Sequence, residues 1–362
     1  MDVKGNGHWQ TLTEITLGPA AYNYYIFEDT LQAQWLRLLS SVDARLTATL
    51  HYSKKYYHQT PSNIFDALAD ADYKGKVVHA KLYPNHDNFN LSVHSGYVKR
   101  GHFVYQKTYE MDKYRFRYTA GLNDSNSLKA LDNEIVWHED QASVILQADT
   151  LRLRLPKGKG TYYPASFRNI RELESERIMA NIHGTLYEVP LLEVGRNPNY
   201  LLMRPVATHH KMISDMATWN GLLVLSGVKI PCPCRQAEHI IGDKHEQIAL
   251  WIGGIDDLWK SGKPVGVGGP WKNTKVKAGE KSDKYLMTGY DKKTLTLWAD
   301  SDVTISILVY TTQYLPQAVE YKKIRIKANE TIIHRFPDAY SAHWVQFMAD
   351  KVCIVSGIFT YE

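Results

Sequence analysis

The chain has 362 residues, of which 44% are hydrophobic and 12% aromatic, and this is enough apolar material for a sizeable core. Its 43 Lys and Arg against 38 Asp and Glu leave a net charge of only +5 without any basic block, which argues against nucleic acid as the main partner. No apolar run is long enough to cross a membrane, and the first residues, MDVKGNGHW, lack the features of a signal peptide.

The first predicted elements belong to a repeat that links the two ends of the chain. FEDTLQAQW (27–35) returns as FPDAYSAHW (336–344), and at the same offset WLRLLSSVDARLTATLHY matches WVQFMADKVCIVSGIFTY. Upstream, Ile15 and Leu17 match Ile324 and Ile326. Each copy predicts an amphipathic hairpin that needs neighbours, and LTLWADSDVTISILVY (295–310) is a shorter third copy. The predicted buried anchors are the pairs Phe27 and Phe336, Trp35 and Trp344, and Tyr52 and Tyr361.

The repeat also predicts a domain organisation. Residues 1–52 and 313–362 form an accessory β-module that flanks a central all-β domain of residues 53–312. The last copy follows the strand VTISILVYTT, whereas only Met1 to Val3 precede the first. We therefore expect that the end hairpins share a sheet, or that an earlier segment of the protein or a second copy of the chain supplies the partner strand.

Between the repeats, short segments with a period of two alternate with turn residues, which predicts strands throughout. Helix is predicted only at 62–71 (SNIFDALADA) and, for a turn or two, at 207–216. Strands recurring at such short intervals predict an all-β fold, either a sandwich, a barrel or a propeller.

The second half of the chain resembles a known group of proteins. RELESERIMANIHGTLYEVP, YLLMRPVATHHK, WNGLLVLSGV, LWIGGIDDLWKSGKPVGVGGPW and SDKYLMTGYDKKTLTL, within residues 165–362, are similar to bacterial proteins associated with polysaccharide breakdown. The resemblance implies a β-propeller-like central domain. From the strand spacing, a multi-sheet β-sandwich is the alternative. It also implies a polysaccharide or oligosaccharide partner and a secreted or periplasmic location. No catalytic residue is carried over from this group.

The segment IMANIHGTLYEV (178–189) predicts a strand with one polar face. Asn181, His183, Thr185 and Tyr187 alternate with apolar residues and would stand in a row, forming a possible wall of a binding site. The alternative is a solvated or hydrogen-bonded sheet face.

Candidate residues for hydrolysis are carboxylic acids. Cleavage of a glycosidic bond usually needs one protonated carboxyl as acid and one ionised carboxylate as base or nucleophile. The candidates are Glu176 and Glu188, or a member of the pair Asp256 and Asp257, of which we choose Asp257.

A uronate lyase would instead use a cation or amide to neutralise the substrate carboxylate, with His and Tyr as base and acid. His183, Tyr187, Arg204, His209 and His210 are of the right types. Trp259 and Trp271 are either core residues or sugar-stacking platforms.

Metal signals are weaker. Cys232 and Cys234, with His239 and His245, match no standard zinc spacing, and the cluster His79, His86, Asp87, Asn88 and His94 lacks a fixed ligand pattern. We therefore predict no cofactor, with a divalent cation left open. The prediction is a carbohydrate-active protein, first a glycoside hydrolase, with a polysaccharide lyase or a non-catalytic carbohydrate-binding module as alternatives.

Overall fold

The computed structural model describes residues 1–19, 21–52, 62–85, 89–99, 102–119, 136–148, 151–158, 170–173, 178–191, 199–230, 238–243, 245, 247–312 and 317–362. Its regular elements are 24 strands and three short 3₁₀ helices at Asn63–Phe65, Tyr200–Leu202 and Ile255–Lys260. No helix among these residues has the length and apolar character needed to span a membrane. The strands, in chain order, are β1 Lys76–Pro84, β2 Leu91–Lys99, β3 His102–Asp112, β4 Arg115–Thr119, β5 Val136–Glu139, β6 Val144–Ala148, β7 Leu151–Leu155, β8 Ile170–Glu172, β9 Ile178–Ile182, β10 Thr185–Glu188, β11 Arg204–Thr208, β12 Met216–Trp219, β13 Leu222–Leu225, β14 Val228–Ile230, β15 Ile240–Gly242, β16 Ala249–Gly253, β17 Gly266–Val276, β18 Lys284–Leu286, β19 Lys293–Ala299, β20 Val303–Tyr310, β21 Val319–Ile326, β22 Thr331–Arg335, β23 Trp344–Ala349 and β24 Cys353–Tyr361.

These strands form five sheets, which confirms the all-β prediction. Their orders are β14-β1-β2-β3-β4, β11-β10-β9-β8, β12-β13-β16-β15, β17-β24-β19-β22 and β21-β20-β23-β18-β7-β6-β5. Nearly all neighbouring pairs are antiparallel, and β18 with β7 is a parallel pair.

Three of the sheets pack face to face. The β12-β13-β16-β15 sheet is covered on both sides: Ala217, Val224 and Leu250 contact the sheet of β1 to β4. From the opposite face, Met216, Leu225 and Trp251 contact the sheet of β8 to β11. Because both faces are buried, the strand sequences LLVL and ALWIG are continuously apolar rather than alternating. Four-stranded antiparallel sheets stacked in this way resemble propeller blades.

The C-terminal part is a β-sandwich. The β17-β24-β19-β22 sheet lies against the end of the seven-stranded sheet that contains β20 and β23, and the two share one core. Phe347 of one layer stacks on Phe359 of the other, with ring centroids 5.7 Å apart. Strand β19 shows the period of two expected for one buried face. In this copy of the repeat, the predicted anchors Phe336, Trp344 and Tyr361 are buried, as expected.

The predicted hairpins of the repeat are in fact arches. β19 and β20 follow one another in the chain but lie in opposite layers, and the same holds for β23 and β24. The two arches interlock at their turns, since Asp300 accepts a hydrogen bond from the Ile354 amide and Asp350 accepts one from the Thr304 amide, both at 2.9 Å. Period-two alternation cannot separate a hairpin from an arch, because it reports burial and not the hydrogen-bonding partner.

The N-terminal copy does not form the predicted hairpin. Within residues 1–19 and 21–52 the structure contains no strand, only an isolated bridge between Asp2 and Trp35. Trp35 is 62% exposed and Tyr52 86% exposed, whereas their counterparts Trp344 and Tyr361 are 1% and 2% exposed. In the C-terminal copy β20 lies between β21 and β23, and β19 lies between β22 and β24. Among the described residues, no strand pairs with the N-terminal copy in the way that β19 and β20 pair with the C-terminal copy. The division of the chain at residues 52 and 312 stays a prediction.

Both helix predictions are wrong. Residues 62–71 contain only the 3₁₀ turn Asn63–Phe65, because Leu68 and Asp70 instead form bridges to Val228 and Lys211. Residues 207–216 run from the end of β11 to the start of β12 without a helix. The predicted single strand at 178–189 is also wrong: β9 and β10 pair antiparallel around a turn at His183 and Gly184, both with positive φ.

The matched tryptophans of the repeat provide a test of this fold. Trp344→Ala should lower the free energy of unfolding by about 3–5 kcal/mol, because the side chain is buried and its indole N–H donates to the Leu201 carbonyl. Trp35→Ala should change it by less than about 0.5 kcal/mol, because the side chain is mostly exposed. Urea unfolding of the two variants measures both values, and equal losses would contradict the different environments of the two copies.

Candidate functional site

Four chain segments converge where the β5 to β7 end of the seven-stranded sheet meets the sheet of β8 to β11. They are the end of β5 with Glu139, the residues after β7 with Lys157 and Gly158, the β9–β10 turn with His183, and the end of β11 with His209 and His210. The backbone N–H groups of His209 and His210 both donate to the Gly184 carbonyl, at 2.9 and 3.3 Å. A Cβ atom added at Gly158 would lie 2.5 Å from the His183 carbonyl oxygen and 3.7 Å from His210 Nδ1. We call this group the Glu139 cluster.

His183 connects the parts of the Glu139 cluster. Its Nδ1 atom accepts a hydrogen bond from the Gly158 amide at 3.1 Å, and its Nε2 atom lies 3.4 Å from Glu139 Oε2. Because Nδ1 is an acceptor, the proton of the neutral ring is on Nε2 and faces the carboxylate. Trp137 packs edge-on against the ring, with centroids 6.2 Å apart. Burial lowers the pKa of His183, and the Glu139 carboxylate opposes this only in part.

Glu139 is the most accessible charged group of this set. Its side chain is 54% exposed, and Lys157 Nζ lies 3.0 Å from Oε2. Burial raises the pKa of this carboxyl, but the hydrogen bond and charge of Lys157, together with His183, outweigh that effect, so the pKa lies below its ordinary value. Lys157 also donates to the Asp140 carbonyl. The cluster thus holds a solvent-facing carboxylate in its ionised form.

His209 and Asn181 form a buried pair beneath this surface. The Lys211 amide donates to His209 Nδ1 at 2.8 Å, so the ring proton is on Nε2 and is donated to Asn181 Oδ1 at 3.0 Å. Asn181 in turn donates to the Ile213 carbonyl. Burial lowers the pKa of His209 to about 3. Its neutral ring ties β9 to the segment after β11, which is a structural role.

Other predicted site residues of the same sheet lie apart from the cluster. The Tyr187 hydroxyl is fully buried, and burial raises its pKa far above the ordinary value, so it remains protonated. Glu188 and Arg204 face each other across β10 and β11, with Arg204 Nε 2.8 Å and Nη2 2.7 Å from Glu188 Oε2. Two guanidinium nitrogens thus contact one oxygen of the carboxylate that we predicted as a catalytic group, and Glu188 is engaged in an ion pair.

The remaining predicted site residues, Asp257, Trp259 and Trp271, stabilise a turn or pack in the core. Asp257 accepts hydrogen bonds from the Gly254 amide at 2.8 Å and from Lys260 at 2.7 Å, which stabilises the start of the 3₁₀ helix Ile255–Lys260. Trp259 packs partly buried against a core cluster. Trp271 is buried in the sandwich beside Phe347, so neither ring face is open to a sugar.

Several predicted residues lie outside the described part of the chain. They are Glu176, Cys232, Cys234, His86, Asp87 and Asn88. Of the zinc-ligand candidates, His239 and His245 are described. His239 stacks on Trp251, and its Nδ1 lies 2.9 Å from the Ile252 carbonyl oxygen. Within the described ranges, no three His, Cys, Asp or Glu side chains gather closely enough to hold a metal ion.

Sequence reasoning missed Glu139 and Lys157. Glu139 is the last residue of β5, in VWHED, and Lys157 follows the end of β7, in RLPKG. Charged residues at strand ends indicate a site only when the order of the strands in the sheet is known, because that order determines which strand ends lie together. That order, with β5, β6 and β7 added to the edge of the C-terminal layer, was not predictable from spacing.

No protein family and no curated protein matches the chain. Among solved structures, a glycoside hydrolase family 43 arabinoxylan arabinofuranohydrolase from Bacillus subtilis, in complex with cellotetraose, is 7% identical with a TM-score of 0.20, covering 78% of this chain and 65% of that one. An exo-β-1,3-galactanase from Phanerochaete chrysosporium, with β-1,3-galactotriose, is 8% identical with a TM-score of 0.19, covering 78% and 81%. Likenesses at such TM-scores carry no argument about this chain.

The buried histidines predict how stability depends on pH. Burial lowers the pKa of His209 to about 3, and that of His79 and of His343 to about 4, from 6.5 in the unfolded chain. At a pH between the pKa in the folded protein and the pKa of 6.5 in the unfolded chain, the unfolded chain binds more protons than the folded protein. The free energy of unfolding therefore falls as the pH drops below 6.5. From pH 7 to pH 5 each of these histidines should remove about 2 kcal/mol.

Guanidinium unfolding at pH 7 and pH 5 measures this loss. In His209→Gln the loss should be about 2 kcal/mol smaller than in the unsubstituted protein. In His138→Gln, which changes an exposed histidine of β5, it should be unchanged. An equal pH dependence in all three proteins would show that His209 is not the buried neutral group described above.

Proposed function

We propose that the chain is a carbohydrate-active protein and that the Glu139 cluster is its site, with glycoside hydrolysis as the reaction. The observation that carries the proposal is a solvent-facing carboxylate held ionised by Lys157 and His183. In glycosidases an ionised carboxylate serves as base or nucleophile. The bidentate capacity of a carboxylate for paired hydroxyl donors also suits sugar binding.

In this mechanism Glu139 would either take a proton from the water that attacks the anomeric carbon or attack that carbon itself. In both cases the glycosidic C–O bond breaks and the leaving oxygen takes a proton from an acid. Lys157 and His183 hold the carboxylate in place, because each directs a donor at the same oxygen. His183 is itself fixed by the Gly158 amide, which makes it a positioning residue. The acid partner predicted from the sequence is Glu176, and that assignment stays a prediction.

A non-catalytic carbohydrate-binding protein is the second candidate. It is favoured by one observation: the carboxyls of Glu139, Asp140 and Asp257 all have a pKa below the ordinary value. A general acid needs a raised pKa. Elimination has less support, because both ring nitrogens of His183 have partners and the Tyr187 hydroxyl is buried away from the surface. A secreted or periplasmic location remains part of the proposal.

Glu139→Gln tests the hydrolase proposal. On a panel of neutral and acidic polysaccharides, the release of reducing ends should fall by at least about 100-fold, because the amide cannot act as base or nucleophile. Retardation in an affinity gel containing the same polysaccharide should persist. Glu280→Gln is the matched control, since Glu280 is an exposed glutamate on the turn before β18.

Each outcome of this assay separates the candidates. Reducing ends that depend on Glu139 support hydrolysis at the proposed site, and reducing ends unaffected by Glu139→Gln place hydrolysis elsewhere. Ultraviolet absorbance from an unsaturated uronate would contradict hydrolysis in favour of elimination. Binding without any product would leave the carbohydrate-binding module.

A further inference from the structure

The unpaired N-terminal copy of the repeat points to a binding partner. At the offset of the repeat, residues 10–17, 22–26, 35–40 and 44–52 correspond to β21, β22, β23 and β24. In the C-terminal copy, the two strands of the β19–β20 arch are the central strands to which all four of these pair. The N-terminal segment contains the four outer sequences without those two central strands.

The clearest correspondence is between residues 44–52 and β24. In β24 the buried positions alternate with more exposed ones. The buried positions are Cys353, Val355, Gly357, Phe359 and Tyr361, and their counterparts are Ala44, Leu46, Ala48, Leu50 and Tyr52. The counterparts of the four outward positions are Arg45, Thr47, Thr49 and His51. The copy thus keeps an apolar face and a polar face in the phase of β24, although Leu46 and Leu50 are 52% and 51% exposed.

Residues 22–26 do not keep the phase of β22, and the structure gives the reason. They rest on the C-terminal sandwich instead, with the Tyr22 hydroxyl 3.0 Å from the Tyr340 hydroxyl and the Tyr24 ring edge-on to Tyr340 at 4.9 Å. Further along, His51 Nε2 lies 3.2 Å from the Thr311 carbonyl oxygen. The segment is therefore tethered beside the sandwich while residues 35–50 expose Leu36, Leu38, Leu39, Val42, Leu46 and Leu50.

We propose that residues 35–52 are a docking segment for an amphipathic β-arch with the pattern of β19–β20. The C-terminal copy shows what covers such a sequence: a strand paired through its backbone, followed by an acidic turn and a second strand. In that copy the side chain of the turn residue Asp300 accepts a hydrogen bond from the backbone amide of Ile354. The residue that corresponds to Ile354 in the N-terminal copy is Arg45. A cation at this position complements an acidic turn on the incoming arch.

A second copy of this chain is a poorer occupant. Its own β19 is already hydrogen-bonded on both edges, to β22 and β24, and its β20 to β21 and β23. Neither strand has an edge to offer without opening the sandwich. The occupant is thus a polypeptide segment of this arch pattern other than β19–β20 itself, bound by strand addition.

The experiment uses the full chain and a synthetic peptide of residues 293–310, KTLTLWADSDVTISILVY, as the arch. Hydrogen exchange followed by mass spectrometry should show the amides of residues 44–52 slowed at least about tenfold by this peptide. A scrambled peptide of the same composition should leave them unchanged. Absence of slowing at saturating peptide, or equal slowing by the scrambled peptide, would overturn the proposal.

Two double variants test the predicted face. Leu46→Asp with Leu50→Asp places charges on the apolar face and should abolish the slowing, whereas Thr47→Asp with Thr49→Asp alters the polar face and should retain it. All four positions lie in the exposed segment, so the rest of the fold is unaffected. Equal loss in both variants would overturn the proposed face. Protection that is present without peptide and increases with protein concentration would identify a second copy as the occupant and so contradict the proposal.

Discussion

A strand in this protein is ordered only where neighbouring strands take up its backbone hydrogen bonds and a neighbouring sheet covers its apolar face. The C-terminal sandwich meets both conditions through the β19–β20 arch, whose two strands lie at the centre of opposite layers. The arch of β23 and β24 interlocks with it through Asp300 and Asp350. The same constraint explains the N-terminal copy, which keeps the apolar residues but lacks the central strands.

The constraint also positions the Glu139 cluster. β5, β6 and β7 extend the sandwich layer that contains β20 and β23, and β9 and β10 pack against the same core. The ends of these strands therefore meet, and their turn residues lie side by side. His183 is held by a backbone amide on one side and faces a carboxylate on the other. The charged pair Glu139 and Lys157 is thereby held on a rigid framework of strands. A binding or catalytic site requires such a framework.

The sequence predicted part of this and could not predict the rest. Alternation identified the all-β fold and the buried anchors Phe336, Trp344 and Tyr361, because burial of one face leaves a period of two. It failed at 178–189, where His183 and Gly184 turn the chain without interrupting the alternation. Alternation also predicted the same structure for both copies of the repeat. The stability of a strand, however, depends on partner strands that are distant in sequence.

The central claim is that partner strands, and not the segment's own sequence, decide whether a copy of the repeat is ordered. Hydrogen exchange of the full chain tests it directly, by comparing the amides of residues 44–52 with those of residues 353–361 in one experiment. The account predicts slow exchange for the second segment, which is paired on both edges to β17 and β19, and exchange near the unfolded rate for the first. Equal protection of the two segments would contradict it.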